Sequence, residues 1–188
     1  MGTARRAGNI MAIVRRKCFI SYHHADQDAV NYFVRSFDHE ANCFIARGLG
    51  EEMSPDIIQS TNTDYVMRRI RERFLRDSTV TIVLIGRCTW ARRYVDWEIQ
   101  SSLRRGEYTT PNGILGIKLS SYDGTFPERF NDNLSSGWPT VDCYARHMEW
   151  PSSTQQLVGA IEAAYQRRTT HRHLIVNNRD RMHYNRQC

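Results

Sequence analysis

Glu98 stands in the stretch RRYVDWEIQSSL, residues 92–103, one position after Trp97. If this stretch is helical, Val95, Ile99, Ser102 and Leu103 share one face, the stripe that would turn towards a sheet. Glu98 lies one residue from Ile99, about 100° round the axis. With Tyr94 and Ser101 it therefore occupies the border of that stripe. A carboxylate in this position has two readings. It is a solvated acid paired with Arg92, Arg93 or Arg105, the ordinary state of a glutamate on an arbitrary helix. Or it is held at the rim of a pocket, where it can stabilise positive charge on a ligand.

The choice depends on the elements that carry it. KCFISY (17–22) is a short apolar run that ends in polar HHADQD, as a buried strand does when it feeds a helix. Val30, Phe33, Val34 and Phe37 recur at helical spacing and predict a helix over about 27–40. NCFIA (42–46) reads as a second strand, followed by a Gly-, Pro- and acid-rich loop over 47–61. A helix over about 62–76 places Val66, Ile70 and Phe74 inward and Arg68, Arg69, Arg71 and Arg73 mostly outward. VTIVLIG (80–86) is a continuous β-branched run, which marks a central strand covered on both faces. The Glu98 helix follows over about 91–105, then a strand at 113–119, a long irregular stretch and a weaker strand at 141–145. Pro151 and a Ser153…Gln156 capping box open a last helix that runs to about 168.

Strands alternating with helices predict an α/β fold: a doubly wound parallel sheet of about five strands, flavodoxin-like, in a single domain over 17–169. Residues 1–16 are expected to form a flexible tail and 170–188 a basic C-terminal tail. In such sheets ligands bind beyond the carboxyl ends of the strands. That makes 21–26, 47–61, 86–92 and 119–140 the loops of interest.

The net charge of +6 is almost wholly arginine, Lys17 and Lys118 being the only lysines, and it is spread along the chain. This reads as a solvated surface, not a nucleic-acid stripe, although it would still attract a small anion. Five scattered cysteines (18, 43, 88, 143 and 188) show no metal spacing and predict reduced core thiols in a cytoplasmic protein. No apolar run approaches a membrane span, and NIMAIV is too short for a signal peptide.

Local chemistry excludes several uses of this architecture. The turn after the first strand, SYHHAD, has no glycine to admit a pyrophosphate, so a Rossmann dehydrogenase does not fit. There is no Walker loop and no G-x-S-x-G elbow. The acidic pair and strand-three aspartate of a phosphoryl-accepting receiver are replaced by His23-His24 and Gly86-Arg87. His23-His24 also lacks partner ligands at any metal-binding spacing.

CFISYHHAD resembles the opening strand and loop of TIR domains, and DSTVTIVLIGRCTWARRYVDWEI resembles their central strand and following helix. The resemblance covers about 17–119 and is closest to the TIR-like proteins of bacterial Thoeris antiphage systems. It implies that Glu98 is a catalytic glutamate and that NAD is the substrate, cleaved between nicotinamide and ribose with no separate cofactor or metal. The product would be an ADP-ribose-derived, cyclic or conjugated signal that activates a separate effector, and self-association would complete the site. The resemblance also implies substrate contacts at Ser21, Tyr22 and His23. Trp97 would shield the pocket, and Arg87 and Arg92 would meet the pyrophosphate. Against these stand plainer readings: a helix cap or turn contact for Ser21, core packing for Trp97 and surface charges for Arg87 and Arg92. Asp26 reads as the N-cap of the first helix and not as a ligand. The alternative for the whole chain is a non-catalytic TIR-like interaction module.

Overall fold

The computed structural model describes residues 14–48, 65, 68–106, 109–134 and 142–188. Five strands form one all-parallel sheet: β1 (Arg16–Ser21), β2 (Phe44–Arg47), β3 (Val80–Ile85), β4 (Gly113–Lys118) and β5 (Arg146–Met148). Their spatial order is β2-β1-β3-β4-β5. The chain leaves β1 towards one edge and returns on its other side at β3, so the crevice between their carboxyl ends is the topological switch point. This is the doubly wound, flavodoxin-like fold expected.

Helix α1 (Gln27–Val34) continues into a wider π-helical run, Arg35–Glu40, and packs with α5 (Thr154–Thr170) on one sheet face. The opposite face is covered by α2 (Ile70–Leu75, also π-helical), α3 (Arg93–Ser102) and the short α4 (Glu128–Asn131). Strand alternation fixes which side chains meet which layer. Cys18 and Ile20 of β1 enter the α1/α5 core, whereas Phe19 and Ser21 face α2 and α3. Every residue of β3 is buried, as its unbroken apolar run requires. Ser153 caps α5 by accepting a hydrogen bond from the Gln156 backbone N–H at 3.2 Å.

Three expectations need correction. The last strand is Arg146–Met148 and not 141–145. Tyr144 and Ala145 are apolar because they are packed, not because they are paired. Tyr144 is fully buried, and its hydroxyl donates to the Asn112 carbonyl at 2.7 Å. The stretch after β4 is not wholly irregular, since α4 interrupts it and carries Arg129 and Phe130 into the core. The cysteines are not all thiols. Cys18, Cys43 and Cys143 are free and buried, but Cys88 is disulfide-bonded to Cys188. A pairing across 100 residues leaves no local spacing to read. Most of the 47–61 loop and the start of the 62–76 helix lie outside the described residues, as do the side chains of Val66 and Phe74.

The C-terminal segment is a strap across α3. Ile175 is buried, and Asn133 exchanges two hydrogen bonds with the Val176 backbone. The Met182 N–H donates to Asp96 at 3.0 Å, and the Arg186 N–H to the Ala91 carbonyl at 2.9 Å. The Arg186 guanidinium also grips Glu128 with two hydrogen bonds. The disulfide ties the strap's end to the loop after β3. Closing so long a loop restricts the unfolded chain by up to about 4.7 kcal/mol, of which roughly 2–4 kcal/mol is typically realised. Cys188→Ser should therefore lower Tm by about 5–12 °C, and a thiol reductant should bring the wild type to the same value. Equal melting of both proteins in oxidising buffer would mean the strap is held by its hydrogen bonds alone.

Candidate functional site

Ser21 ends β1 and is fully buried, so its hydroxyl must find a partner inside the protein. It donates to Glu98 Oε2 at 2.6 Å. None of the arginines near Glu98 in sequence pairs with it. Arg92 bonds the Cys88 carbonyl, Arg93 bonds the His183 carbonyl and the Tyr94 hydroxyl, and Arg105 bonds the Arg172 carbonyl. Among the described residues Glu98 takes part in no salt bridge. Burial without a cation raises its pKa from the ordinary 4.5 to about 8, against the opposing effect of the Ser21 hydrogen bond. The residue as a whole keeps partial exposure, which leaves a route for an incoming group. A desolvated carboxyl that lacks a counter-ion is a costly arrangement, and such groups concentrate at functional sites.

The other expected site residues divide. Tyr22 follows Ser21 on the strand and so points to the opposite side. Its hydroxyl donates to Gln27 at 2.7 Å, and its ring packs on the α1/α5 core. His23 is buried in the loop after β1. Desolvation lowers its pKa, with Arg92 and His24 adding to the effect, so it is a neutral imidazole at pH 7. Trp97 packs with Phe19 and Ile70, and its indole N–H donates to the Met182 carbonyl at 2.9 Å. It anchors the strap beside the site. Arg87 is exposed in the loop after β3. The structure thus joins Ser21 directly to Glu98, while Tyr22 faces away from them.

Asp26 departs from its expected role. It occupies the N-cap position of α1 but makes no capping bond. Instead its Oδ1 accepts from the Ser121 hydroxyl at 3.2 Å, beyond the end of β4. Its Oδ2 is buried and has no partner. The carboxylate lies so close over Gly86, at the end of β3, that any β-carbon there would collide with it. An unpaired acceptor therefore sits where three strands end. A glycine directly after a buried strand was the sequence signal for such a close approach. Among the described residues no group of three or more His, Cys, Asp or Glu side chains is arranged to hold a metal ion.

A parallel sheet in the order 2-1-3-4-5, with a serine-held glutamate on the helix after its central strand, defines a TIR-like α/β domain. A family model described as Thoeris protein ThsB, TIR-like domain, matches residues 19–123, more than half of the chain, and the chain belongs to that family. It is also 27% identical over 130 residues to a Bacillus cereus (strain MSX-D12) protein named putative cyclic ADP-D-ribose synthase ThsB1. That match takes in 65% of this chain and 59% of the relative, so the chain spans less than two thirds of the relative's length. Among the described residues no helix is long and apolar enough to cross a membrane.

Proposed function

We propose that the chain is a cytoplasmic enzyme that cleaves the nicotinamide–ribose bond of NAD at Glu98, making an ADP-ribose-derived cyclic signal for a separate effector in antiphage defence. The observation that carries this reading is the Glu98 carboxyl, desolvated, unpaired with any cation among the described residues and held by Ser21. Family membership and the relative's name as a cyclic ADP-D-ribose synthase support the substrate and product class. NAD enters as substrate, and the chemistry calls for no further cofactor.

The C–N bond breaks with its electron pair going to nicotinamide, which leaves as a neutral molecule and needs no acid. The energetic burden is the oxocarbenium-like ribose left behind. An ionised Glu98 stabilises that charge and accepts from ribose hydroxyls. The unpaired oxygen of Asp26 offers a second acceptor at the neighbouring strand ends. His23 and Arg87 flank the same loops, His23 as a neutral contact and Arg87 as a cation for the pyrophosphate. Water as the acceptor gives ADP-ribose, whereas attack by a nucleophilic atom of the same molecule, with loss of its proton if it carries one, gives a cyclic product. Self-association would complete the pocket around these loops.

Because the free carboxyl holds its proton up to about pH 8, kcat/KM should rise with pH and level off above that point. Ser21→Ala removes the hydrogen bond that favours the ionised form, so it should move this midpoint to higher pH. A flat profile in the wild type would disprove the role given to the carboxyl. Product identity is tested by mass spectrometry after incubating concentrated protein with NAD. A cyclic ADP-ribose mass, lighter than ADP-ribose by one water, is the expected result, and ADP-ribose alone would overturn the cyclisation step.

A further inference from the structure

We propose a second ligand site on this chain, an arginine-lined recess that binds a small molecule bearing two adjacent phosphates. The recess has a volume of about 700 Å³, which is the size of small-molecule sites and far from an extended nucleic-acid track. Four of its lining residues are arginines: Arg68 on the helical turn leading into α2, Arg71 on α2, Arg104 just beyond α3 and Arg181 on the C-terminal strap. Among the described residues no carboxylate lines it. Of the acids close in sequence, Glu72 pairs with Arg69 at 3.8 Å and Asp96 with Arg129 at 2.8 Å. Among the described residues the guanidiniums of Arg68, Arg104 and Arg181 make no hydrogen bond or ion pair.

Like charges around one concavity repel one another unless an anion joins them, and among the described residues three of these guanidiniums have no partner of their own. Guanidinium forks match phosphate oxygens two at a time, so a diphosphate suits this set better than a single phosphate or a carboxylate. The wall is preformed and does not need to be gathered by the ligand. Asn177 lines the recess, donates to the Gln100 carbonyl at 3.1 Å and accepts from the buried Arg129 at 3.0 Å. Gln100, also in the lining, has its amide oxygen buried without a partner.

The recess is separate from the Glu98 site. Glu98 does not line it. Residues 100–104 lie towards the opposite end of the sheet, where the Ser102 hydroxyl meets Thr81 near the start of β3 at 2.7 Å. Glu98 instead meets Ser21 at the end of β1. The proposal does not rest on NAD chemistry and can fail or succeed without it.

Calorimetric titration of the full chain with inorganic pyrophosphate and with orthophosphate, at two salt concentrations, tests it. The expected result is one-to-one pyrophosphate binding, at least tenfold tighter than orthophosphate and weaker at high salt. The double variant Arg104→Gln/Arg181→Gln should lose at least tenfold in affinity, and Arg35→Gln, beyond α1 on the other sheet face, should lose none. If the double variant melts early, Arg104→Gln alone, at an exposed position, should still weaken binding at least threefold. Absence of binding, equal affinity for the two anions, or an equal loss in Arg35→Gln would each overturn the proposal.

Discussion

Glu98→Gln should reduce nicotinamide release from NAD by about a thousandfold, the scale on which one group that stabilises transition-state charge contributes. Glutamine keeps the shape and can still accept from Ser21, but it cannot place negative charge beside the ribose. The same substitution should make the protein more stable at alkaline pH, and this separates a chemical role from a structural one. Glu98 has its pKa raised from 4.5 to about 8 on folding, so its contribution is fully present below about 4.5 and is lost as pH rises through about 8. A neutral glutamine has no such loss. Relative to wild type, the variant should therefore gain on the order of a few kcal/mol between pH 5 and pH 9. Thermal melts across that range check this. A difference between the two proteins that did not change with pH would show that the carboxyl is not desolvated.

The second large effect concerns stability. Arg129 of α4 is fully buried, and its guanidinium meets both carboxylate oxygens of Asp96 on α3, at 2.8 and 3.3 Å. It also donates to Asn177 and to the carbonyls of Arg179 and Asp180, while Asp96 accepts the Met182 N–H. One ion pair thus pins α3, α4 and the strap together. Asp96→Asn strands a buried cation and should cost about 3–5 kcal/mol, a fall in Tm of at least about 6 °C. Replacing both partners, Asp96→Leu with Arg129→Met, should recover much of that loss, because an apolar pair leaves no uncompensated charge. If the double variant were as unstable as the single, the cost would lie in the strap's lost hydrogen bonds and not in the stranded charge.

This network shows where the sequence stops being readable. The sheet was legible because its signals are local: a β-branched run for β3, helical spacing in α1 and α3, a serine cap on α5. Glu98 was legible as a border position, and its two readings differed only in what stood opposite it. Asp96 and Arg129 are 33 residues apart and were hidden among many other charges. The strap looked like a polar basic tail because its order comes from backbone groups and arginines bonded to distant acids, not from an apolar pattern. Asp26 looked like a helix cap, and only the glycine below it and Ser121 beside it reveal that its carboxylate turns into the crevice. Tyr22 was grouped with Ser21 by adjacency, although strand alternation sends the two to opposite faces.

The central claim, that Glu98 acts on NAD, is tested most directly in the setting that supplies any trigger. Cells expressing the wild-type chain or Glu98→Gln at equal levels are infected with phage, and their nucleotides are extracted and measured by mass spectrometry. The account predicts an ADP-ribose-derived product and a fall in NAD in the wild type alone. The same product in both, or in neither across phages that the wild type restricts, would contradict it and leave the chain as a TIR-like interaction module.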